Sequence, residues 1–311
     1  MITAQAHPNI ALIKYWGKQD KPGNIPATPN LSITLSELTT TTHVSEHEQD
    51  EVWLNAEQVH DNKIDRFLAA VRNQHPLGPV KIDSHNNFPT GAGLASSASG
   101  FAALTLALNE HLGLGLNEEY MSEWARLGSA SAARSLFGGY VALVPPLWRA
   151  QQFAEAAHWP LNIVVGITST EAKTISSTKG MNLSRDNSPF YKQWVRSSGD
   201  DFAEATDAVN NRDFDKLAHV AELSCLKMHS VMLTTTPTLA YWNPATMAAM
   251  QLVRDLRSSG TAAFYTIDAG PQIKVVCLPE HTDTVTHALN QLPGIISTTT
   301  CALGGGAQLV N

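Results

Sequence analysis

Residues 86–104 read NNFPTGAGLASSASGFAAL, and this stretch decides how the rest of the chain is read. A proline and the glycines at 91 and 93 run into Ser96, Ser97 and Ser99, then into small apolar residues around Gly100. Glycine turns tightly and lets a backbone approach a ligand with no Cβ in the way. The serines suit a helix N-terminus, and their hydroxyls suit a phosphate or the metal that travels with it. The first turn of such a helix presents unpaired N–H groups and partial positive charge, an anion site. The loop Gly91, Ala92, Gly93, Leu94, Ala95 followed by a helix over 97–112 therefore reads as a phosphate cradle; the plainer alternative is a glycine turn capping a buried helix. No Gly-Lys-Ser/Thr follows, so it is not a Walker loop, and the spacing is not that of a dinucleotide-binding fold.

Outward from this stretch the chain is ordinary in length and composition. It has 311 residues, 43% hydrophobic and 16% charged, enough for one large or two ordinary domains. A formal net charge of −7 argues against nucleic acid and anionic membrane surfaces as partners. Cys225, Cys277 and Cys301 are widely spaced, which indicates neither a disulfide framework nor a zinc site and fits a reducing cytosol. The first residues, MITAQAHPNIALIKYW, lack the pattern of a signal peptide, and no apolar run is long enough to span a bilayer.

In chain order, residues 10–13 predict a strand entering the polar loop Lys14-Tyr15-Trp16-Gly17-Lys18, and the proline-rich 20–30 an irregular connection. Residues 31–44 alternate as one or two half-buried strands, and 52–59 as a hairpin turning near Asn55-Ala56. Ile64, Phe67, Leu68 and Val71 fall at helical spacing behind Asp61, a plausible N-cap. A strand over 80–84, a helix over 117–127 ending at Gly128 as a C′ glycine, and a strand over 140–144 follow. Residues 147–160 read as a boundary before a strand at 161–168, and SSTKGM at 176–181 as a polar, phosphate-friendly turn. Helices over much of 188–229, 244–258 and 280–291, and strands at 262–267, 274–279 and 295–302, finish a mixture without strict β-α-β alternation: α+β in two lobes.

Lys14 and Lys18 close to an apolar strand suit an anionic ligand, or form a solvated strand end; Trp16 reads as core. Arg134 sits among small residues only, free to grip a carboxylate or phosphate with both arms, or to pair with one of the protein's own acids. Asp268 follows an apolar strand and precedes Ala-Gly-Pro, a place for a catalytic acid or base or for a turn aspartate. Twelve histidines form no metal signature, and no Gly-x-Ser-x-Gly elbow occurs.

Taken in order, NIALIKYWGK (9–18), the opening stretch, GSASAARSLFGGY (128–140), SSTKGM (176–181) and IDAGP (267–271) resemble the hallmarks of the diphosphomevalonate decarboxylases, a family of the GHMP kinase superfamily. The resemblance implies a two-lobed α+β GHMP-kinase-like fold, with an ATP-binding domain (ribosomal protein S5 domain 2-like) over 1–158, a second α+β domain over 159–311, and the active site between them. It implies ATP-dependent decarboxylation of mevalonate 5-diphosphate through phosphorylation of the 3-hydroxyl, with ATP and Mg2+ as cofactors. Asp268 would lie at that hydroxyl and Arg134 on the substrate carboxylate, with Lys18 near the reacting end and Tyr15 also on the substrate. Ser176, Ser177 and Met181, with Lys14 or Lys179, would meet the diphosphate. Gly91 to Ser99 would cradle ATP, with Ser96 or Ser97 placing Mg2+. Small-molecule substrates, a homodimer and a cytoplasmic location are further implications.

Two segments depart from the family pattern. Thr28-Pro29-Asn30-Leu31-Ser32 stands where Asn-Ser-Ser-(Ile/Leu)-Ser is usual, and Ala130 stands where a glycine is usual. The first lies by the substrate pocket, so a mevalonate 5-phosphate decarboxylase, or a mevalonate 3-kinase type that stops at phosphorylation, is the alternative reading.

Overall fold

The computed structural model describes residues 1–88, 96–171 and 175–310. The chain opens with β1 (Ile2–Ala6) and β2 (Asn9–Ile13), the latter buried along its whole length. Residues 31–44 split into two strands of different character. β3 (Asn30–Thr34) is buried on both faces, whereas β4 (Thr40–Glu46) alternates as its Thr-rich sequence predicts. The expected hairpin is β5 (Glu51–Leu54) and β6 (Glu57–Gln58), with Asn55 and Ala56 at φ 50° and 67°, the left-handed pair a two-residue loop requires.

Asp61 caps α1 (Asn62–Arg72), accepting the Lys63 N–H at 2.7 Å, and the helix buries Phe67, Leu68 and Val71. After β7 (Val80–Asn86) come α2 (Ser96–His111) and α3 (Glu118–Gly128). Gly128 is not the left-handed C′ residue expected: it is the last residue of α3, and a Cβ there would stand 2.1 Å from the Phe101 ring. Close packing of α3 on α2, not a turn, requires the glycine.

Residues 147–160 are more than a connection. After β8 (Tyr140–Leu143) they form β9 (Ala150–Ala154), which pairs antiparallel with β8. AQQFA carries no β-branched residue and a single aromatic, a weak strand signal. Next come β10 (Asn162–Ile167) and four helices: α4 (Ser177–Asn187), α5 (Tyr191–Asn211), α6 (Phe214–Leu233) and α7 (Pro244–Ser258). The expected turn at 176–181 is instead the start of α4, with Ser176 as N-cap accepting the Lys179 N–H at 3.3 Å. β11 (Ala263–Ile267), β12 (Ile273–Cys277), α8 (Thr282–Gln291), β13 (Ser297–Ala302) and β14 (Gln308–Leu309) complete the chain.

The described residues form three sheets: β14-β1-β4-β7-β5-β6, β2-β3-β8-β9, and β11-β12-β10-β13. All described pairings are antiparallel except β5 with β7. One apolar core joins Ile10, Leu12, Leu31 and Ile33 of the second sheet to Ile163, Val209, Leu217 and Phe264 of the later half. Thr266 on β11 also donates its hydroxyl to the Ala11 carbonyl of β2 at 3.3 Å. The ends of β2 and β11 are thus brought side by side, and a charged residue directly follows each strand.

Candidate active site

Lys14 directly follows β2 and Asp268 directly follows β11, and the two side chains meet: Lys14 Nζ lies 2.5 Å from Asp268 Oδ1. The Lys14 backbone N–H is fixed by the Ser224 hydroxyl of α6 at 2.9 Å. A second lysine, Lys274 of β12, places Nζ 3.2 Å from Asp268 Oδ2. Both lysines are 1% exposed, whereas the carboxylate is 28% exposed and opens into a cleft. Burial pushes the Asp268 carboxyl up, but the two ammonium groups outweigh it and hold the group well below the usual carboxylate range. Lys14, expected to meet an anionic ligand, is paired with this carboxylate.

The cleft measures about 600 Å3, and among the described residues five cationic side chains (Lys14, Lys18, Lys63, Arg66 and Arg134) line it against one carboxylate, Asp268. The charge balance of the whole chain is reversed here. Arg134, in a short 3-10 turn (Arg134–Leu136), is buried, yet among the described residues no carboxylate forms an ion pair with it. Its guanidinium donates to Asn30 Oδ1, to Ser32 Oγ at 3.0 Å and to Asn9 Oδ1 at 3.0 Å. These neutral acceptors orient the cation and leave its charge for a ligand. Burial lowers its pKa to about 10, with Tyr15 and Asp268 opposing, so it stays charged at neutral pH.

The loop after Lys14 is held rigidly. Trp16 is core, as expected, donating its indole N–H to Ser184 at 2.9 Å, while Trp194 donates to the Trp16 carbonyl at 2.9 Å. Gly17 has φ +110°, and a Cβ there would meet the Tyr191 hydroxyl at 2.1 Å. Tyr15 and Lys18 both line the cleft. Burial raises the Tyr15 phenol, which stays protonated. The Lys18 ammonium donates to Asn24 Oδ1 at 2.7 Å and Thr178 Oγ1 at 3.4 Å. Burial, then the positive charges of Lys63 and Arg66, lower its pKa to about 8. Its charged neighbours are those two residues of α1.

Ser176, Ser177, Thr178 and Met181 line the same cleft from the start of α4; Lys179 is exposed and is not among the lining residues. Ser97 lines both this cleft and a second one of about 290 Å3, whose walls include Val52, Trp53, Leu54, Ile64, Phe101 and Leu104. Ser96 lines the second cleft, and Lys63 is shared by both. Ser99 does not belong with them. It is fully buried, with its hydroxyl 2.6 Å from Thr40 Oγ1 and 3.3 Å from the Ser96 carbonyl, so the structure assigns it to the core. Gly91, Ala92, Gly93, Leu94 and Ala95 lie outside the described residues.

Lys63, Arg66 and Lys274 were not identified from sequence. The first two are one turn apart on what reads as the solvated face of an amphipathic helix. Lys274 leaves one faint signal, a lone charge in the apolar run IKVVC.

Two family models match in tandem: the diphosphomevalonate decarboxylase-like N-terminal domain over residues 6–147, and the mevalonate 5-diphosphate decarboxylase C-terminal domain over 163–305. The chain belongs to the diphosphomevalonate decarboxylase family. Among curated relatives, the diphosphomevalonate decarboxylase of Aspergillus fumigatus is 34% identical, covering 94% of this chain and 80% of that protein. The human diphosphomevalonate decarboxylase is also 34% identical, over 90% of this chain and 77% of that one. Among solved structures, MDDEF in complex with MVAPP, AMPPCP and magnesium matches with TM-score 0.92 and 34% identity, over 100% of this chain and 98% of that chain. The mevalonate diphosphate decarboxylase from Staphylococcus aureus matches with TM-score 0.91 and 33% identity, over 100% and 99%. The α+β fold expected for the family is the fold observed.

Proposed function

We propose that the cleft carries out the reaction of its family: ATP-dependent decarboxylation of mevalonate 5-diphosphate to isopentenyl diphosphate, with ADP, phosphate and CO2. The observation that carries this reading is the convergence of Asp268, clamped between two lysines, and Arg134, held only by neutral side chains, on one cation-lined cleft. Phosphorylation of the tertiary C3 hydroxyl makes it a leaving group, and loss of CO2 supplies the electrons that form the alkene as phosphate departs.

Asp268 orients the C3 hydroxyl. A carboxylate held so far below its usual range is a weak base, and a loose phosphoryl transfer asks little of one. The fixed negative charge also favours the positive character that grows at C3. Arg134 grips the substrate carboxylate and fixes the geometry for its loss as CO2. Lys18, Lys63 and Arg66, with Ser176 and Ser177 at the start of α4, meet the diphosphate; Tyr15 and Met181 shape the wall between the two ends.

The second cleft suits a nucleotide: apolar and aromatic walls for a base, opening at the N-terminus of α2 toward the first cleft. Among the described residues no group of three or more His, Cys, Asp or Glu could hold a metal. The Ser96 and Ser97 hydroxyls are hard oxygen donors that fit Mg2+ carried on ATP, where the ion would offset phosphate charge. We further read the chain as two domains, 1–158 and 159–311, a division supported by the gap between the two matched models. The three free, buried cysteines support a cytoplasmic enzyme, and among the described residues no helix is long and apolar enough to cross a membrane. The homodimer implied by the family resemblance is tested by sedimentation velocity.

The reading is tested by supplying the protein with ATP, Mg2+ and, separately, mevalonate, its 5-phosphate and its 5-diphosphate. Isopentenyl diphosphate from the diphosphate alone is the expected result. Preference for the monophosphate, or ADP without alkene, would replace it with one of the two alternative readings.

A further inference from the structure

Lys18 is held in place by a tight loop that follows it. Residues 19–26 double back, with the Gln19 N–H donating to the Ile25 carbonyl at 2.9 Å and the Gln19 side chain to the Pro26 carbonyl at 3.0 Å. At the tip, Gly23 and Asn24 have φ of +94° and 53°, a region that glycine and asparagine tolerate best. The tip is pinned to α3 twice. Arg126 Nη1 donates to the Gly23 carbonyl at 2.9 Å, and Asn24 Nδ2 donates to the carbonyls of Arg126 and Leu127 at 3.1 and 2.6 Å. Those carbonyls belong to the last turn of α3, where helical oxygens lack partners within the helix.

The two donations decide which way the Asn24 amide faces. A flipped amide would set its oxygen against two carbonyl oxygens, so the nitrogen stays on α3 and Oδ1 faces the cleft. That oxygen accepts from Lys18 Nζ at 2.7 Å. We propose that Asn24 is the positioning residue for Lys18, an uncharged tether that aims the ammonium into the cleft while leaving its charge for the substrate diphosphate. An aspartate at this position would aim the lysine equally well and cancel its charge. Arg134 is treated in the same way at the other end of the cleft, by Asn9, Asn30 and Ser32. Besides Asn24, the groups facing Lys18 are Thr178 of α4 and the charges of Lys63 and Arg66 of α1.

The inference rests on the assignment of Lys18 to the diphosphate. It is tested by steady-state kinetics of the full-length protein and of Asn24→Asp and Asn24→Gly; glycine keeps the left-handed backbone and removes only the amide. Asn24→Asp is expected to raise KM for mevalonate 5-diphosphate about tenfold, the scale of one lost charge contact. The kcat and the KM for ATP should stay near their original values, and the alkaline fall of kcat/KM should move to higher pH. Asn24→Gly should raise the same KM by less and leave the pH limb in place. An unchanged KM for the diphosphate in Asn24→Gly overturns the proposal. So does a joint loss of kcat and of ATP affinity, which marks a purely structural role; should Asn24→Asp fail to fold, Asn24→Gly alone decides. If the original protein does not turn over mevalonate 5-diphosphate, the functional reading fails instead, and Asn24 is judged by binding of inorganic diphosphate, whose affinity must then fall in Asn24→Asp.

Discussion

Asp268 keeps its charge because Lys14, just after β2, and Lys274, on β12, take one carboxylate oxygen apiece. Replacing it with Asn keeps the shape and removes the charge, and kcat should fall about 10²–10³-fold or more while nucleotide titration still reports ATP binding. Near-normal turnover would contradict the assignment. Arg134→Lys should also lose about 10²-fold in kcat/KM, because a point charge cannot reproduce a planar fork whose three nitrogens are each aimed by a neutral acceptor. Lys18 gives the pH dependence. Its pKa is lowered to about 8, so it is charged and ready for an anion below that value and loses the charge as pH rises through it. The kcat/KM for the diphosphate should therefore be level below pH 8 and fall above it, by up to about tenfold per pH unit. Asp268, already ionised throughout that range, adds no limb of its own between pH 5 and 8.

At the scale of elements, the same helix can carry a core face and a functional face, and only the first was legible. Ile64, Phe67, Leu68 and Val71 announce α1 by their spacing, but Lys63 and Arg66 look like any solvated charges until the fold turns them toward the cleft. Ser-Ser-Thr-Lys-Gly favours turns and helix caps alike, so composition does not separate a turn from the start of α4. The strand β9 was missed because pairing with β8, not its own composition, makes it a strand. Gly128 closes α3, but the Phe101 ring rather than a left-handed turn requires it. Gly128→Ala should lower stability in urea unfolding by about 1–3 kcal/mol, the usual range for overpacking, since the added methyl falls on the Phe101 ring. A neutral result would return the glycine to the role of a simple helix end.

Across the whole molecule, the chemistry depends on contacts between residues far apart in sequence. Lys14 and Asp268 are 254 positions apart, and nothing in either local sequence names the other as partner. What sequence did supply was the order of five motifs; the shared core and the Thr266 to Ala11 bond then explain why the first and last converge. The chain's end also returns. Gly304, Gly305 and Gly306 carry it past Leu35, Gly138 and Leu136, where a Cβ at 304 or 306 would fall 2.4–2.6 Å from a backbone oxygen, and β14 then pairs with β1. Gly306→Val should accordingly lower the melting temperature, and an unchanged melt would mean that the tail can leave without cost. The central claim is that one cleft both phosphorylates and decarboxylates, and the most direct measurement is the ratio of CO2 released to ADP formed on mevalonate 5-diphosphate labelled at its carboxyl carbon. A ratio of about one is expected, with total turnover and not the ratio falling in Asp268→Asn; ADP formed without CO2 would contradict a single cleft that does both.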